Sequence, residues 1–164
     1  MKIPIIAVLG AAFVLASPPA FSHGEEHKAG KIDYSKAEEK PFGRAADPKK
    51  AVRTITIAMS DEMRFTPAEI TVKKGEIVRF AVKNNGKVMH EMVLGTMQDL
   101  VEHAELMKKF PGMEHDEPHM AHIAAGKSGA MGWQFSKAGE FHYGCLIPGH
   151  FEAGMKGRII VTEK

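Results

Sequence analysis

The chain has 164 residues, of which 22 are lysine or arginine and 20 are aspartate or glutamate. This near balance excludes the strongly basic composition of nucleic-acid-binding proteins and an acidic interaction tail, so no nucleic-acid partner is expected. The length fits one domain with one hydrophobic core.

Residues 1–22 have the three-part layout of a secretory signal peptide. Lys2 provides a positive start, an apolar run extends from Ile3 to Leu15, and small residues and prolines lead to Ser22. The run is too short to span a bilayer, and a membrane anchor or a buried helix is the alternative interpretation. We expect cleavage near Ser22, export to the periplasm, and no membrane span in the mature chain.

Residues 23–50 are polar and charged, with few large apolar side chains. Segments of this composition bury too little apolar surface to offset the entropy lost on ordering. They are predicted to form a flexible, histidine-containing arm, which precedes a folded domain at residues 51–164.

Residues 51–164 alternate between short extended segments and turns. In one segment Val78, Phe80 and Val82 face the same side, and the turn residues 84–86 end it. Short strands of this kind predict an all-β fold, with the strands arranged as an antiparallel β-sandwich. The predicted strands cover residues 52–58, 68–72, 78–83, 89–94, 131–135, 140–144 and 157–162.

An insertion interrupts the strand pattern between residues 98 and 122. Leu100, Val101, Ala104 and Met107 recur at helical spacing, which predicts an amphipathic α-helix over residues 98–110. The segment that follows is rich in methionine and histidine and too polar for a strand. The insertion is therefore expected to contribute one α-helix and a Met/His-rich loop.

The chain contains a single cysteine, Cys145. Exported proteins meet an oxidising compartment, in which cysteines usually pair as disulfides. A lone exported thiol is prone to oxidation unless something caps it, and a metal ion would do so.

Cys145, His150 and Met155 lie on one predicted loop with Cys-x4-His-x4-Met spacing. Thiolate is a soft donor, imidazole accepts either oxidation state of copper, and a thioether is a weak axial donor. A zinc site usually recruits another cysteine or histidine in place of methionine. A Cys-His nucleophile pair would need an orienting third group and an oxyanion site, for which the sequence shows no signal.

A copper site of this type needs a second histidine from elsewhere in the fold. His90 is the best candidate, because it lies in a predicted strand just after the turn at residues 84–86. One end of a sandwich brings the loops between different strands together.

The segment from Cys145 to Gly157 resembles the copper loop of azurins, and its ligand spacing is similar to that of rusticyanin and the auracyanins. Residues 65–76 are similar to the opening strands of many cupredoxins. The resemblance covers residues 51–164 and implies a Greek-key β-sandwich that holds a type 1 copper cycling between Cu(I) and Cu(II). It implies as copper ligands His90, Cys145, His150 and Met155.

The chain departs from this family at two points. Its single cysteine rules out the disulfide usual in azurins. Glu91 follows the first histidine ligand, where Asn or Ser is common and helps to tie the two copper loops together. Contacts around the ligands tune a metal, so Glu91 bears on the reduction potential.

Further donors are present outside the four-ligand set. Cleavage near Ser22 would make His23 the N-terminal residue, whose amine and imidazole can chelate Cu(II), and His27 is nearby. The methionine and histidine side chains of the insertion are soft and borderline donors, which also suit copper. The alternative to metal binding is that this segment forms a solvated loop or a lid over the copper. The candidate accessory ligands are His23, His27, Met113, His115, His119, Met120 and His122.

Surplus donors of this kind are similar to those of periplasmic copper-tolerance cupredoxins, which implies a role in handling excess copper by binding it or by redox conversion. The alternative is a soluble electron shuttle between respiratory partners such as a c-type cytochrome. Its docking face would contain Pro148 and Phe151 beside His150. An enzyme is not expected, since multicopper oxidases and copper nitrite reductases need further copper-binding domains.

Overall fold

The structure is a computed structural model that describes residues 32–111, 113 and 116–163. The predicted signal peptide and the first part of the predicted arm lie outside these residues. Within the described part of the chain, no helix is long and apolar enough to cross a membrane.

Ten strands and one α-helix make up the described residues, along with 3-10 turns at Tyr34–Lys36 and Pro48–Lys50. The elements are β1 (Arg44–Ala45), β2 (Arg53–Ser60), β3 (Arg64–Thr66), β4 (Glu69–Lys73), β5 (Ile77–Asn84), β6 (His90–Gly95), α1 (Met97–Lys109), β7 (Met120–Ile123), β8 (Ser128–Gln134), β9 (Gly139–Gly144) and β10 (Lys156–Thr162). The all-β prediction with one inserted helix is confirmed.

The strands form two five-stranded sheets, in the orders β1-β8-β5-β2-β3 and β4-β10-β9-β6-β7. The purely antiparallel arrangement expected from the sequence is wrong for two pairs, because β2 pairs with β5 and β4 with β10 in parallel. The chain leaves the first sheet after β3 and returns at β5, so that β5 enters beside β2 in the same direction. Such crossings between sheets are what a Greek-key sandwich requires.

The core lies between the two sheets. Alternate side chains of β5 point inward, among them Val78, Phe80 and Val82, and they meet Trp133 and Tyr143 from other strands. Each fully buried aliphatic or aromatic side chain contributes roughly 1.5–3 kcal/mol relative to an exposed one. The period-two apolar pattern therefore determines which face of each strand is buried.

A flexible arm was predicted for residues 23–50, and its described part, residues 32–50, instead packs on the sandwich. Phe42 is only 3% exposed and stacks on Trp133, with ring centroids 5.2 Å apart. The Trp133 Nε1–H group donates to the Phe42 carbonyl at 2.9 Å, and Ala45 pairs with Trp133 in the β1–β8 ladder. The composition of residues 23–50 did not predict this packing, because one aromatic side chain and a two-residue strand are enough to attach the segment to the sandwich.

Helix α1 begins one residue before its predicted start. The Thr96 hydroxyl accepts from the Asp99 amide while the Asp99 carboxylate accepts from the Thr96 amide, a reciprocal capping box. Leu100 and Ala104 are buried against an apolar cluster on the outer face of β6 that includes Phe151. The helix therefore covers the sheet that carries the copper loop.

Strand β7 begins within residues 113–122, a segment whose polar composition predicts a loop. It pairs with β6 at the edge of its sheet. Ala121 and Ile123 pack toward the core, while Met120 packs against the α1 cluster on the other face. An edge strand needs apolar residues only on its inner face, so overall polarity was a poor guide.

Candidate metal centre

His90, Cys145 and His150 converge at one end of the sandwich, with their candidate ligand atoms all within 4.8 Å of one another. His150 Nδ1 lies 3.3 Å from His90 Nδ1 and 3.3 Å from Cys145 Sγ. Among the residues that the structure describes, this is the only convergent group of three or more His, Cys, Asp or Glu side chains.

Two neighbouring strands position the first pair of donors. His90 is the first residue of β6, and Cys145 directly follows the last residue of β9. The two strands are antiparallel, with Val93 opposite Gly144, so the start of one lies beside the end of the other. The sheet thereby brings together two side chains that are distant in sequence.

Tight turns position the remaining donors. The His150 amide donates to the Ile147 carbonyl, and the Met155 amide donates back to the His150 carbonyl at 3.0 Å. Gly149 has a φ of 90°, in the left-handed region where glycine is favoured. The Cys145 amide then donates to the Met155 carbonyl at 3.0 Å, which closes the loop and places the fully buried Met155 beside Cys145.

Asp61 orients His90. Its Oδ1 lies 3.1 Å from His90 Nε2, and its carboxylate also accepts from the Lys87 amide at 2.8 Å. With Nε2–H donating to the carboxylate, the lone pair of Nδ1 faces the other donors, as in carboxylate–histidine–metal triads. The sequence carries no signal for Asp61, because it lies in the β2–β3 turn and no motif connects it to His90.

Asn84 organises the segment before His90. Its side chain is fully buried, and Nδ2 donates to the carbonyls of Val88 and Ile123 at 2.8 and 2.9 Å. Its Oδ1 accepts from the Gly86 amide at 2.8 Å. The turn that ends β5 is therefore tied to β7, and His90 enters β6 from a fixed position.

The protonation states of the donors follow from burial. Burial raises the pKa of the Cys145 thiol to about 12, so at neutral pH the copper-free protein holds the neutral thiol. Burial, and then the neighbouring His90, lower the pKa of His150, so its imidazole is neutral. Copper must therefore displace a proton from Cys145 when it binds.

The arrangement fits copper. It offers a cysteine sulfur and two imidazoles whose donor atoms lie within 4.8 Å of one another, and the fully buried Met155 belongs to the same loop. Soft sulfur and imidazole donors are those that copper prefers. Cys145 itself is fully buried, which excludes water from its sulfur.

The candidate accessory ligands have different locations. His23, His27 and His115 lie outside the described residues, and Met113 is exposed. His119 packs on the inner side of the sheet against Phe42 and Trp133. Met120 packs under α1. The His122 ring contacts the carboxylates of Glu91 and Asp116. The described members of this set therefore do not meet at one point.

The docking face expected around His150 also differs. Pro148 is exposed, but Phe151 is only 8% exposed and packs with Leu100 and Leu146 beneath α1. The sequence did not reveal this, because the inserted helix covers a side chain that the loop would otherwise leave in solvent.

Residues 52–162 match the model of a family described as copper binding proteins of the plastocyanin/azurin family. A copper-resistant cuproprotein CopI of Rubrivivax gelatinosus is 49% identical over 85% of this chain and 82% of its own length. A second CopI protein, from Pseudomonas aeruginosa, is 34% identical over 95% of this chain and 93% of its own length.

Solved structures show the same fold. Auracyanin B superposes with a TM-score of 0.61 at 23% identity, over 76% of this chain and 99% of its own. An azurin from Methylomonas sp. strain J gives a TM-score of 0.57 at 19% identity, over 69% of this chain and 100% of its own. From its sandwich, its converging His-Cys-His donors and these relatives, the chain belongs to the plastocyanin/azurin family of copper-binding cupredoxins.

Proposed function

We propose that this protein is a periplasmic type 1 copper protein that contributes to copper tolerance. The observation that carries the proposal is the convergence of His90, Cys145 and His150 in a chain 49% identical to a copper-resistant cuproprotein. Surplus histidine and methionine residues in the N-terminal segment and the insertion add support, since such donors bind copper ions.

The bound copper would supply one-electron redox chemistry. The chain's own residues hold the donors in place before any metal arrives: the sheet fixes His90 and Cys145, the turns of the loop fix His150 and Met155, and Asp61 holds His90 in the metal-binding tautomer. A rigid donor set of this kind limits rearrangement between Cu(I) and Cu(II).

Growth on graded copper concentrations tests the tolerance role. Deletion of the gene should lower the copper concentration that arrests growth. The wild-type gene should restore tolerance, and Cys145→Ser should not. Normal tolerance in the deletion strain would contradict the role in tolerance, and a chain retained in the cytoplasm on cell fractionation would contradict the periplasmic location.

A soluble electron shuttle is the second candidate function, and an exposed apolar surface beside His90 favours it. Val88 and Met89, which directly precede that ligand, are 46% and 51% exposed. Such a surface suits transient contact with a redox partner such as a c-type cytochrome. Met89→Glu should slow reduction by the cytochrome. The control is Val101→Glu on α1, where the valine is similarly exposed at 44%, and it should leave the rate unchanged. Equal rates in both variants would count against this face.

Both functions leave the protein without enzymatic turnover of an organic substrate. Oxygen uptake by the copper-loaded protein with an excess of a phenol or aromatic amine tests the point: a steady rate above that of buffer alone and of Cys145→Ala would show turnover.

A further inference from the structure

Glu91 is a buried carboxylate that the copper chemistry described above does not use. Its side chain is 3% exposed, and it belongs to β6 directly after His90. Burial of a carboxylate is unfavourable unless hydrogen bonds and an opposite charge compensate for the lost hydration. The contacts of Glu91 therefore identify what it is placed there to hold.

One carboxylate oxygen of Glu91 holds the copper loop. Its Oε1 accepts from the Leu146 amide at 2.7 Å, and Leu146 is the residue directly after Cys145. The Glu91 amide points to Cys145 Sγ at 3.5 Å. The same residue thus contacts the loop at two successive positions, once through its side chain and once through its backbone.

The other carboxylate oxygen holds the insertion. Glu91 Oε2 lies 2.8 Å from His122 Nε2, and the two residues are directly opposite each other in the β6–β7 ladder. His122 Nδ1 lies 3.2 Å from Asp116 Oδ1. Hydrogen bonding to Glu91 is the largest influence on the pKa of His122 and raises it against the effect of burial.

Both ring nitrogens of His122 are thereby engaged by carboxylates. A histidine in this state has no free lone pair for a metal ion, so its contacts differ from those expected of an accessory copper ligand. Its contacts instead form a chain that runs from Asp116 through His122 and Glu91 to the Leu146 amide.

We propose that Glu91 and His122 are positioning residues for the copper centre, and that they fasten the Cys145 loop to strand β7 of the insertion. The pair connects the residue after Cys145 to β7 through one buried carboxylate. The proposal depends on copper binding at the His-Cys-His cluster and is independent of the role in copper tolerance.

The test compares four single-substitution variants of the purified full-length protein with the wild type. Glu91→Ala removes both contacts, and His122→Ala removes the connection to β7. Glu91→Gln is the conservative variant, because its amide oxygen can still accept from Leu146 and its NH2 group can donate to a neutral His122. The matched control is His142→Ala, which removes another histidine–glutamate pair of the same sheet, with His142 Nε2 3.2 Å from Glu140 Oε1.

Three readouts separate positioning from general stability. They are the copper dissociation constant from competition with a chelator, the energy and relative intensity of the thiolate-to-copper absorption bands, and the rate at which a thiol reagent modifies Cys145 in copper-free protein. Loss of a contact outside the ligand set typically weakens metal affinity by about 10–100-fold. We expect weakening of about 10-fold for His122→Ala, altered bands, and faster Cys145 modification.

Glu91→Ala should show the same changes to a larger extent, and Glu91→Gln should stay near wild type in all three readouts. The proposal is overturned if His122→Ala and the His142→Ala control are indistinguishable in bands, affinity and thiol reactivity. It is also overturned if Glu91→Gln is as impaired as His122→Ala. Should Glu91→Ala fail to fold, these two comparisons still decide the question.

Discussion

The copper loop, residues 145–155, and the described end of the insertion, residues 116–122, both contain histidine and methionine but arrange them in opposite ways. In the loop, turns with left-handed glycines bend the chain so that Cys145 and His150 meet the same point. In the insertion, β7 holds the chain extended, and extension sends neighbouring side chains to opposite faces. Donor composition alone therefore does not make a metal site, since the backbone must also direct the donors to one place.

The largest effect that distinguishes the two regions is expected from removal of the thiolate. Cys145→Ala should abolish the intense thiolate-to-copper absorption and weaken affinity by more than about 100-fold, because loss of a ligand exceeds the effect of losing a contact around it. Visible spectra and chelator competition measure both quantities.

The matched change in the insertion is the double variant Met113→Ala and Met120→Ala. It should leave the thiolate band in place. Loss of the band in this double variant, or its survival in Cys145→Ala, would break the contrast between the two regions.

The second prediction concerns His119, which the insertion uses for packing. Burial, opposed by the charge of Glu117, lowers the pKa of His119 to about 4 from its ordinary value of 6.5. The unfolded chain therefore takes up a proton near 6.5 while the folded protein does not. The stability contributed by neutral His119 is present above that value and is lost as the pH falls toward 4.

Urea unfolding of copper-free protein checks this. Between about pH 7 and about pH 5, the loss in unfolding free energy attributable to His119 should be about 1–2 kcal/mol, allowing for partial solvent exposure. His119→Phe removes the titration and should flatten this part of the pH dependence. An identical slope in wild type and variant would show that His119 does not titrate as its packing implies.

The third prediction tests how far convergence of the donors depends on a group outside the loop. Asp61→Ala removes the acceptor that holds His90 Nε2–H and should weaken copper binding by about 10-fold. The control is Glu62→Ala, which removes the adjacent exposed carboxylate. Equal copper affinities for the two variants would mean that the sheet alone orients His90.

The prediction with the smallest expected effect compares alanine substitutions at two glycines, to separate the cost of backbone strain from the loss of copper affinity. Gly149 in the copper loop and Gly126 near β8 have φ values of 90° and 70°, and an added Cβ would meet no atom within 4 Å at either position. Alanine should therefore cost each site about 1–2 kcal/mol of stability through strain alone. Only Gly149→Ala should also weaken copper binding, as measured by chelator competition, because it moves His150. If Gly126→Ala weakens copper binding equally, the loop backbone has no special role in aligning the donors.

Local patterns in the sequence predicted much of the fold. Seven strands and helix α1 were predicted close to their observed bounds, since alternating and helical spacing directly reflect which face of an element is buried. Three short strands were missed: β1 and β3 are too short to show a period, and β7 directly follows the polar residues 114–119. The attachment of Phe42 to Trp133 was also missed, because it joins residues 91 positions apart.

The sequence by itself determined the ligand chemistry. The Cys-x4-His-x4-Met spacing and the lone Cys145 indicate a soft donor set on one loop, and short-range turn geometry is enough to bring such donors together. His90 was predicted as the second histidine from its place in a predicted strand just after the turn at residues 84–86, and the resemblance to cupredoxins implied the same ligand. In the structure, His90 begins the strand that pairs with β9, and Cys145 directly follows the last residue of β9.

Only the tertiary structure decided what surrounds the donors. Asp61 contacts His90 from a turn 29 residues away, and Glu91 joins the Leu146 amide to His122 across two different strand neighbours. The same packing buries Phe151 beneath α1 and separates His119 from His122. These contacts depend on how the sheets and the helix pack in three dimensions, and no local spacing in the chain encodes that arrangement.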